Sequence, residues 1–453
     1  MNDKWFVRLG VVVIVAMFLA PMLGACVGPT VEEKTPPTVE EEEPVIVDDE
    51  PTVERQPDVL IGAVYPLSGD GATSGEAYRI GIEMAMDVIN NPHAELDVWY
   101  AETEGLPNLD GAKCLFEFAD SETSPEKGAA EVERLITDEN VPVIVGLAYS
   151  SATAAAQPVT ERYEIPLING GSTSPPLTDQ GFEFFWRVGP HDGMSTVAMF
   201  DFLDDYKKQT GAEINTIGLL HEDTEVGVES GIIAKGIAEG RGYEVVEEVQ
   251  YRRDSATLTT EIQLMKAANP DVLMPTSYVG DAILIVQGMQ ELDFNPDIVL
   301  WSGGSVALPF WLESVGDEGE YQMTRSRWSS DLGDAVPAIN ELADMFDEYS
   351  GGKALAGGDL SFVGYTVAMV ACDAVNRAGS ADPAAIQEAL YETDIEIPLL
   401  PVPWGVQFDP ETHQNQRATM KIDQLYDSVW YTIWPFDVAS KDVTYPIPPW
   451  SDR

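Results

Sequence analysis

Short apolar runs rich in β-branched residues alternate with longer stretches whose apolar residues recur every three or four positions. That rhythm limits the folds open to this chain more than any other feature. The run Val59-Leu60-Ile61-Gly62-Ala63-Val64 predicts a buried strand. Residues 75–90, with Ile80, Ile82, Met84, Ala85, Val88 and Ile89, predict a helix laid on a sheet. The alternation continues through strand 114–119, helix 125–137, strand 141–145, helix 151–163 and strand 165–168. A second series begins near His191, with helices over 195–206, 227–241, 258–268 and 281–290 and strands over 216–220, 243–249, 272–275 and 298–301. Continuous apolar strands separated by helices belong to parallel sheets covered on both faces. The expectation is therefore an α/β chain with two doubly wound parallel-sheet lobes. A third section carries helices over 336–349, 362–377 and 383–392. Strands around 406–408 and 418–425 then read as a hairpin turned by Asp409-Pro410-Glu411.

The first residues read as a processing signal rather than as fold. Lys4 and Arg8 precede an apolar run over 9–19 that is short for a spanning helix and is followed by Pro21. Leu23-Gly24-Ala25-Cys26 resembles the lipobox of prokaryotic lipoproteins, in which the cysteine becomes the new N-terminus and carries lipid. An ordinary signal peptide with an incidental cysteine, or an uncleaved anchor, is the alternative. Residues 27–57 combine six prolines with runs such as Glu40-Glu41-Glu42-Glu43 and have little apolar mass, so they predict an extended acidic tether. The expected location is extracytoplasmic, with a lipid on Cys26 holding the protein to the membrane.

The formal net charge of -52 excludes nucleic acid as a partner, because nucleic acid rewards basic surfaces. It also argues against docking on anionic lipid. Hydrophobic residues at 44% supply a sizeable core. Cys114 and Cys372 fall in apolar runs and read as two buried thiols, with a disulfide between them as the other possibility. The four histidines show no paired ligand spacing, so no metal and no cofactor is expected. The chain lacks G-x-S-x-G at a strand-helix turn, H-E-x-x-H and a helix-opening G-x-G-x-x-G, so it does not read as an enzyme.

In parallel sheets ligands bind beyond the carboxyl ends of the strands, where backbone amides and helix N-termini point outward. Two strand-to-helix turns stand out there: Gly146-Leu147-Ala148-Tyr149-Ser150-Ser151 and Asn169-Gly170-Gly171-Ser172-Thr173-Ser174-Pro175. Each sets small hydroxyl residues at a helix entrance. Helix capping alone accounts for either loop, while two such loops on adjacent strands point to a shared carboxylate site. The loop over 66–74 is rich in Gly, Ser and Asp but lacks the nucleotide phosphate-loop pattern. Tyr149, Tyr278 and Phe362 are candidate apolar walls.

Ile61-Gly62-Ala63-Val64-Tyr65-Pro66-Leu67-Ser68-Gly69, Ile144-Val145-Gly146, Ile165-Pro166-Leu167-Ile168, Phe185-Trp186-Arg187-Val188 and the run 217–221 form an ordered series. Together they resemble type I periplasmic solute-binding proteins of the leucine/isoleucine/valine class. The resemblance implies two lobes joined by three crossovers that close on a small solute, with delivery to the permease of an ABC importer. It implies an N-terminal lobe of 58–191 and 322–424 and a C-terminal lobe of 192–321 and 425–453. By position, Ser150 is expected to hold a ligand carboxylate, Gly171 to present a carbonyl to an ammonium group, Ser172 to lie beside it and Thr173 to contact both. Tyr278 is expected to approach from the other lobe. Two positions depart from the family. Gly304 stands where amino-acid binders place an acid, and Val226 stands where they place a stacking aromatic. Glu222, Asp223 and Glu225 lie close enough in sequence to supply the missing charge. The implied ligand is an amino acid or a related small carboxylate or amide. A ligand-sensing ectodomain of the same fold is the alternative, and an extracellular hydrolase a more distant one.

Overall fold

The computed structural model describes residues 56–453 apart from 308, 352–357 and 397–398. The leader, Cys26 and nearly all of the acidic tether lie outside the described residues. The chain begins with β1 (Val59–Tyr65), α1 (Ala72–Asn90), β2 (Cys114–Asp120), α2 (Pro125–Asp138), β3 (Ile144–Gly146), α3 (Ser150–Tyr163), β4 (Leu167–Asn169) and β5 (Phe185–Arg187). The five strands form one parallel sheet in the order β2-β1-β3-β4-β5. Alternate residues of β1 feed opposite faces. Val59, Ile61, Ala63 and Tyr65 join the core under α1, whereas Val64 joins the core formed with α2 and α3. A strand buried on both sides has no polar face, which is why its sequence is a continuous apolar run.

The second series runs through α4 (Asp192–Thr210), β6 (Thr216–Glu222), α5 (Glu225–Gly240), β7 (Glu244–Tyr251), α6 (Thr259–Ala268), β8 (Val272–Thr276), α7 (Val279–Glu291), β9 (Ile298–Trp301), α8 (Pro309–Val315) and β10 (Met323–Ser326). The third section adds α9 (Pro337–Ser350), α10 (Gly358–Ala378), α11 (Pro383–Tyr391), β11 (Asp394–Ile395), β12 (Val406–Gln407), β13 (Lys421–Tyr426) and β14 (Val429–Trp434). The second sheet has the order β14-β13-β10-β9-β8-β6-β7. Here too successive residues split between two cores: Ile298 and Leu300 of β9 on one face, Val299 and Trp301 on the other. The α/β class and the two doubly wound lobes are those the alternation predicts.

Three sequence expectations are corrected. The hairpin of 406–408 with 418–425 does not form. Strand β12 pairs with β11, and β13 pairs antiparallel with β10 and β14 in the second sheet. A bridge between Phe408 and Asn415 closes the Asp409-Pro410-Glu411 turn into a tight loop, after which the chain crosses between lobes. The lobe boundaries shift for the same reason. Strands β10 and β13 belong to the second sheet, whereas α9, α10 and α11 pack with the first. The two buried thiols are instead a disulfide, with Cys114 and Cys372 both fully buried and Cα atoms 6.3 Å apart. Their separation of 258 residues hid the pairing, which the packing of α10 against the first sheet creates.

The chain thus passes between the lobes three times: from β5 to α4, from β10 to α9 and from β12 to β13.

Candidate functional site

The loops after β3 and β4 are stitched together by side chains. Asn169 Nδ2 donates to the carbonyls of Gly146 and Leu147, each at 2.7 Å, and Asn169 Oδ1 accepts from Ser172 N at 3.0 Å. Ser172 Oγ donates to Leu147 O and lies 2.7 Å from Thr153 Oγ1. Ser150 Oγ accepts from Ser174 N at 3.2 Å. Gly146 has φ of +135°, and a Cβ there would sit 2.4 Å from Val64 O, so the sharp exit from β3 requires glycine. A Cβ on Gly171 would sit 2.4 Å from the Tyr78 hydroxyl, which keeps that position small.

A cavity of ≈ 590 Å³ lies where this first-lobe region meets the strand ends of the second sheet. Thr173 lines it from the loop after β4. Glu222 at the end of β6, Thr276 at the end of β8 with Ser277 after it, and Ser302, Gly303 and Ser305 after β9 line it from the other lobe. Arg325 and Ser326 at the end of β10 and Arg327 and Trp328 on the crossover that leaves it line the cavity, as does Asp192 at the start of α4, and Val226, Tyr278 and Leu360 add apolar surface. The volume suits a small organic solute.

Of the residues predicted from sequence, the structure brings Thr173, Tyr278 and Val226 together on this cavity. Gly304 sits between two of its wall residues, Gly303 and Ser305. Ser150 and Tyr149, at the entrance of α3, and Gly171 are not on the cavity wall. Ser172 is buried in the loop network described above. Phe362 is buried in the first-lobe core with its ring 5.1 Å from that of Trp328, so the wall residue is Trp328. The loop over 66–74 is held by Asp120, whose Oδ1 accepts from Leu67 N at 2.8 Å, and it takes no part in the cavity.

The charged groups of the cavity were not singled out from sequence, apart from Glu222. The Glu222 carboxylate is 1% exposed; it accepts from Thr224 Oγ1 at 2.7 Å and from Tyr278 N at 3.2 Å. Asp223, by contrast, is exposed and accepts from Arg253 N. Arg325 Nη2 lies 3.2 Å from Asp192 Oδ1, and Arg325 Nε donates to Ser302 O. Burial lowers the Arg325 pKa, and Arg327 lowers it further, against the pull of Asp192. Behind β10, Lys421 and Asp423 form an ion pair shielded from solvent, and Ser326 donates to Asp423. One signal was available in the sequence: Thr324-Arg325-Ser326-Arg327-Trp328 sets two arginines in a chain where Asp and Glu number 77 against 25 Lys and Arg.

Arg187 holds the first-lobe loop from below. Fully buried, it donates to Gln414 Oε1, Ser174 O and Thr178 Oγ1. Burial pulls its pKa down to about 10, so it stays charged at neutral pH. His191 caps α4 by accepting from Met194 N at 3.2 Å, and burial with the neighbouring Arg187 charge pulls its pKa down to about 4. Among the described residues no group of three or more His, Cys, Asp or Glu side chains is placed to hold a metal ion.

Two sheets joined by three crossovers, with a polar cavity at the strand ends between them, make a two-lobed cleft of the kind that takes up a small solute. The profile of the periplasmic binding protein family matches residues 58–424, and the chain belongs to that family. Leu/Ile/Val-binding protein homolog 7 from Brucella abortus is 25% identical over 395 residues, which span 86% of this chain and 94% of the relative. A leucine-binding protein from Thermotoga maritima shares the fold with a TM-score of 0.64 and 21% identity, over 84% of this chain and 99% of that one. A solute-binding protein of an ABC transporter from Rhodopseudomonas palustris, solved with 3,4-dihydroxybenzoic acid, has a TM-score of 0.63 and 19% identity, over 87% of this chain and 99% of its own.

Proposed function

We propose that the protein is an extracytoplasmic lipoprotein, anchored through Cys26, that captures a small carboxylate-bearing solute between its lobes and passes it to an ABC permease. The observation that carries this reading is the ≈ 590 Å³ cavity with Thr173 on one lobe and the polar strand ends of β6, β8 and β9 on the other. A ligand touching both walls holds the lobes together, and the three crossovers are the hinge. Thr173, with Ser150 and Gly171 in the same pair of loops, supplies the first-lobe contacts, and Tyr278 and Val226 cover the ligand from the second lobe. Gly304 leaves the place of the family's acid empty, and Glu222 takes over as the acceptor for a ligand amine or amide. The amino-acid and aromatic-acid ligands in the names of related proteins both carry the carboxylate that this arrangement calls for.

The direct test is to purify the protein without added solute, denature it and identify what is released by mass spectrometry. A stoichiometric small organic acid or amino acid supports the reading. A ligand that is chemically turned over on incubation revives the hydrolase reading.

A further inference from the structure

The cavity contains a guanidinium whose fork is only partly used. Arg325 is 12% exposed in its side chain and stands on the cavity wall. Nε is spent on Ser302 O and Nη2 on Asp192 Oδ1. Nη1 makes no hydrogen bond to the protein among the described residues. A guanidinium carries five donors in a fixed plane, and a buried one is stable only when they find acceptors. Burial, and the Arg327 charge beside it, depress the proton affinity of Arg325 against the opposing pull of Asp192.

The position of Arg325 relative to Thr173 matters. Asp192 N donates to Thr173 O at 2.8 Å, and the side chain of Asp192 reaches Arg325. The arginine and the first-lobe threonine are therefore one residue apart through this bracket, and both border the cavity. Ser150 does not border it, and its hydroxyl is engaged with Ser174 N. At the far end of the same wall stands Glu222. Strand order places β6 three spacings from β10, about 14 Å between backbones. A ligand anion is repelled at the β6 end; at the β10 end Arg325 and Arg327 attract it, with Asp192, which also lines the cavity, offsetting part of the Arg325 charge.

We propose that Arg325 is the anion anchor of this cleft: the ligand is a small organic acid whose carboxylate takes Nη1 of Arg325 together with the Thr173 hydroxyl. The assignment rests on the solute-binding reading and refines it. The acid group is read by a charged donor at the end of β10, and the rest of the ligand extends toward Glu222. A charge-assisted hydrogen bond of this kind is worth about 10- to 100-fold in affinity.

The test uses matched acids and amides as probes, isoleucine against isoleucinamide and 4-hydroxybenzoate against 4-hydroxybenzamide, titrated calorimetrically into the wild type, Arg325→Gln and Arg325→Lys. The expected result is an acid preference in the wild type of about 30-fold or more, reduced to near unity in Arg325→Gln and partly kept in Arg325→Lys. A purely structural role for Arg325 would alter stability without changing the acid-to-amide ratio. Asp192→Asn gives a second approach should Arg325→Gln fail to fold. It leaves the guanidinium in place without its carboxylate, and acid affinity rises. Binding of acids and amides with equal strength, or a ratio unmoved by the Arg325 substitutions, overturns the anchor and leaves the solute-binding reading standing. A failure of every acid, amide and amino acid to bind overturns both.

Discussion

Arg187 Nη1 donates to the carbonyl oxygen of Ser174 at 2.6 Å, so a fully buried cation fixes the backbone of the loop that carries Thr173. The same side chain reaches Gln414 on the β12–β13 crossover at 2.6 Å. One residue thus links the loop that carries Thr173 to a segment that crosses between the lobes. Replacing Arg187 with Met leaves Ser174 O, Gln414 Oε1 and Thr178 Oγ1 without their donor, and is expected to lower stability by about 3 kcal/mol or more. Chemical denaturation measures that loss, and calorimetry on the surviving folded fraction should show weakened ligand binding as well. Unchanged affinity would separate the loop from the site.

Glu222 is expected to govern preference for amine-bearing ligands. With Glu222→Gln, the advantage of an amino acid over its deaminated counterpart should fall by about tenfold, because a neutral amide replaces the carboxylate facing the ligand nitrogen. Paired titrations of leucine and 4-methylpentanoate read this directly. No change in the ratio would leave Glu222 as a cap for Thr224 and Tyr278 alone.

The Cys114–Cys372 disulfide joins β2 to α10, both in the first lobe. Closing so long a loop restricts the unfolded chain, and the bond is expected to contribute about 4 kcal/mol. The double variant Cys114→Ala, Cys372→Ala should unfold at lower denaturant, with the loss concentrated in first-lobe amides by hydrogen exchange. Ligand affinity should be little changed, since neither cysteine borders the cavity.

His191 gives a pH signature. Its folded pKa, about 4, lies below the ordinary histidine value of 6.5, so the folded state binds fewer protons than the unfolded one. The contribution is fully present above about pH 6.5 and is lost as the pH falls toward 4. Asn keeps a side-chain acceptor for the helix cap without titrating in this range. The stability difference between the wild type and His191→Asn should therefore shift against the wild type across that window, as followed by denaturation at stepped pH. A flat difference would contradict the burial-driven shift.

The two-lobed α/β class was legible because strands buried on both faces leave continuous apolar runs, as in β1 and β9, and helices leave a repeat of three to four. Of the two hydroxyl-rich loops, the one after β4 was legible as a cavity element through Thr173, whereas the hydroxyls of Ser172 and Ser150 are taken up by the loop network itself. What escaped was long-range. Strand β13 reads like the partner of β12, and only the crossover sends it to β10. The disulfide links residues 258 apart. Arg325 and Glu222 lie on different strands, and no local pattern announces that sheet order turns their ends toward one cavity. Phe362 and Trp328 show the same limit on a smaller scale: the sequence supplied two aromatics, and packing decided which one lines the cavity.

The central claim is that the cavity between Thr173 and Tyr278 binds a small solute and that binding stabilises the protein. A ligand held by the folded state alone raises stability by about 2.7 kcal/mol at a hundredfold excess over Kd. The measurement is the thermal midpoint of the purified protein against a panel of amino acids, their amides and organic acids, repeated with Thr173→Ala and Tyr278→Ala combined. The predicted result is a concentration-dependent rise for at least one carboxylate-bearing compound, largely lost in the double variant. No rise with any compound, or a rise undiminished by removing both residues, would contradict it.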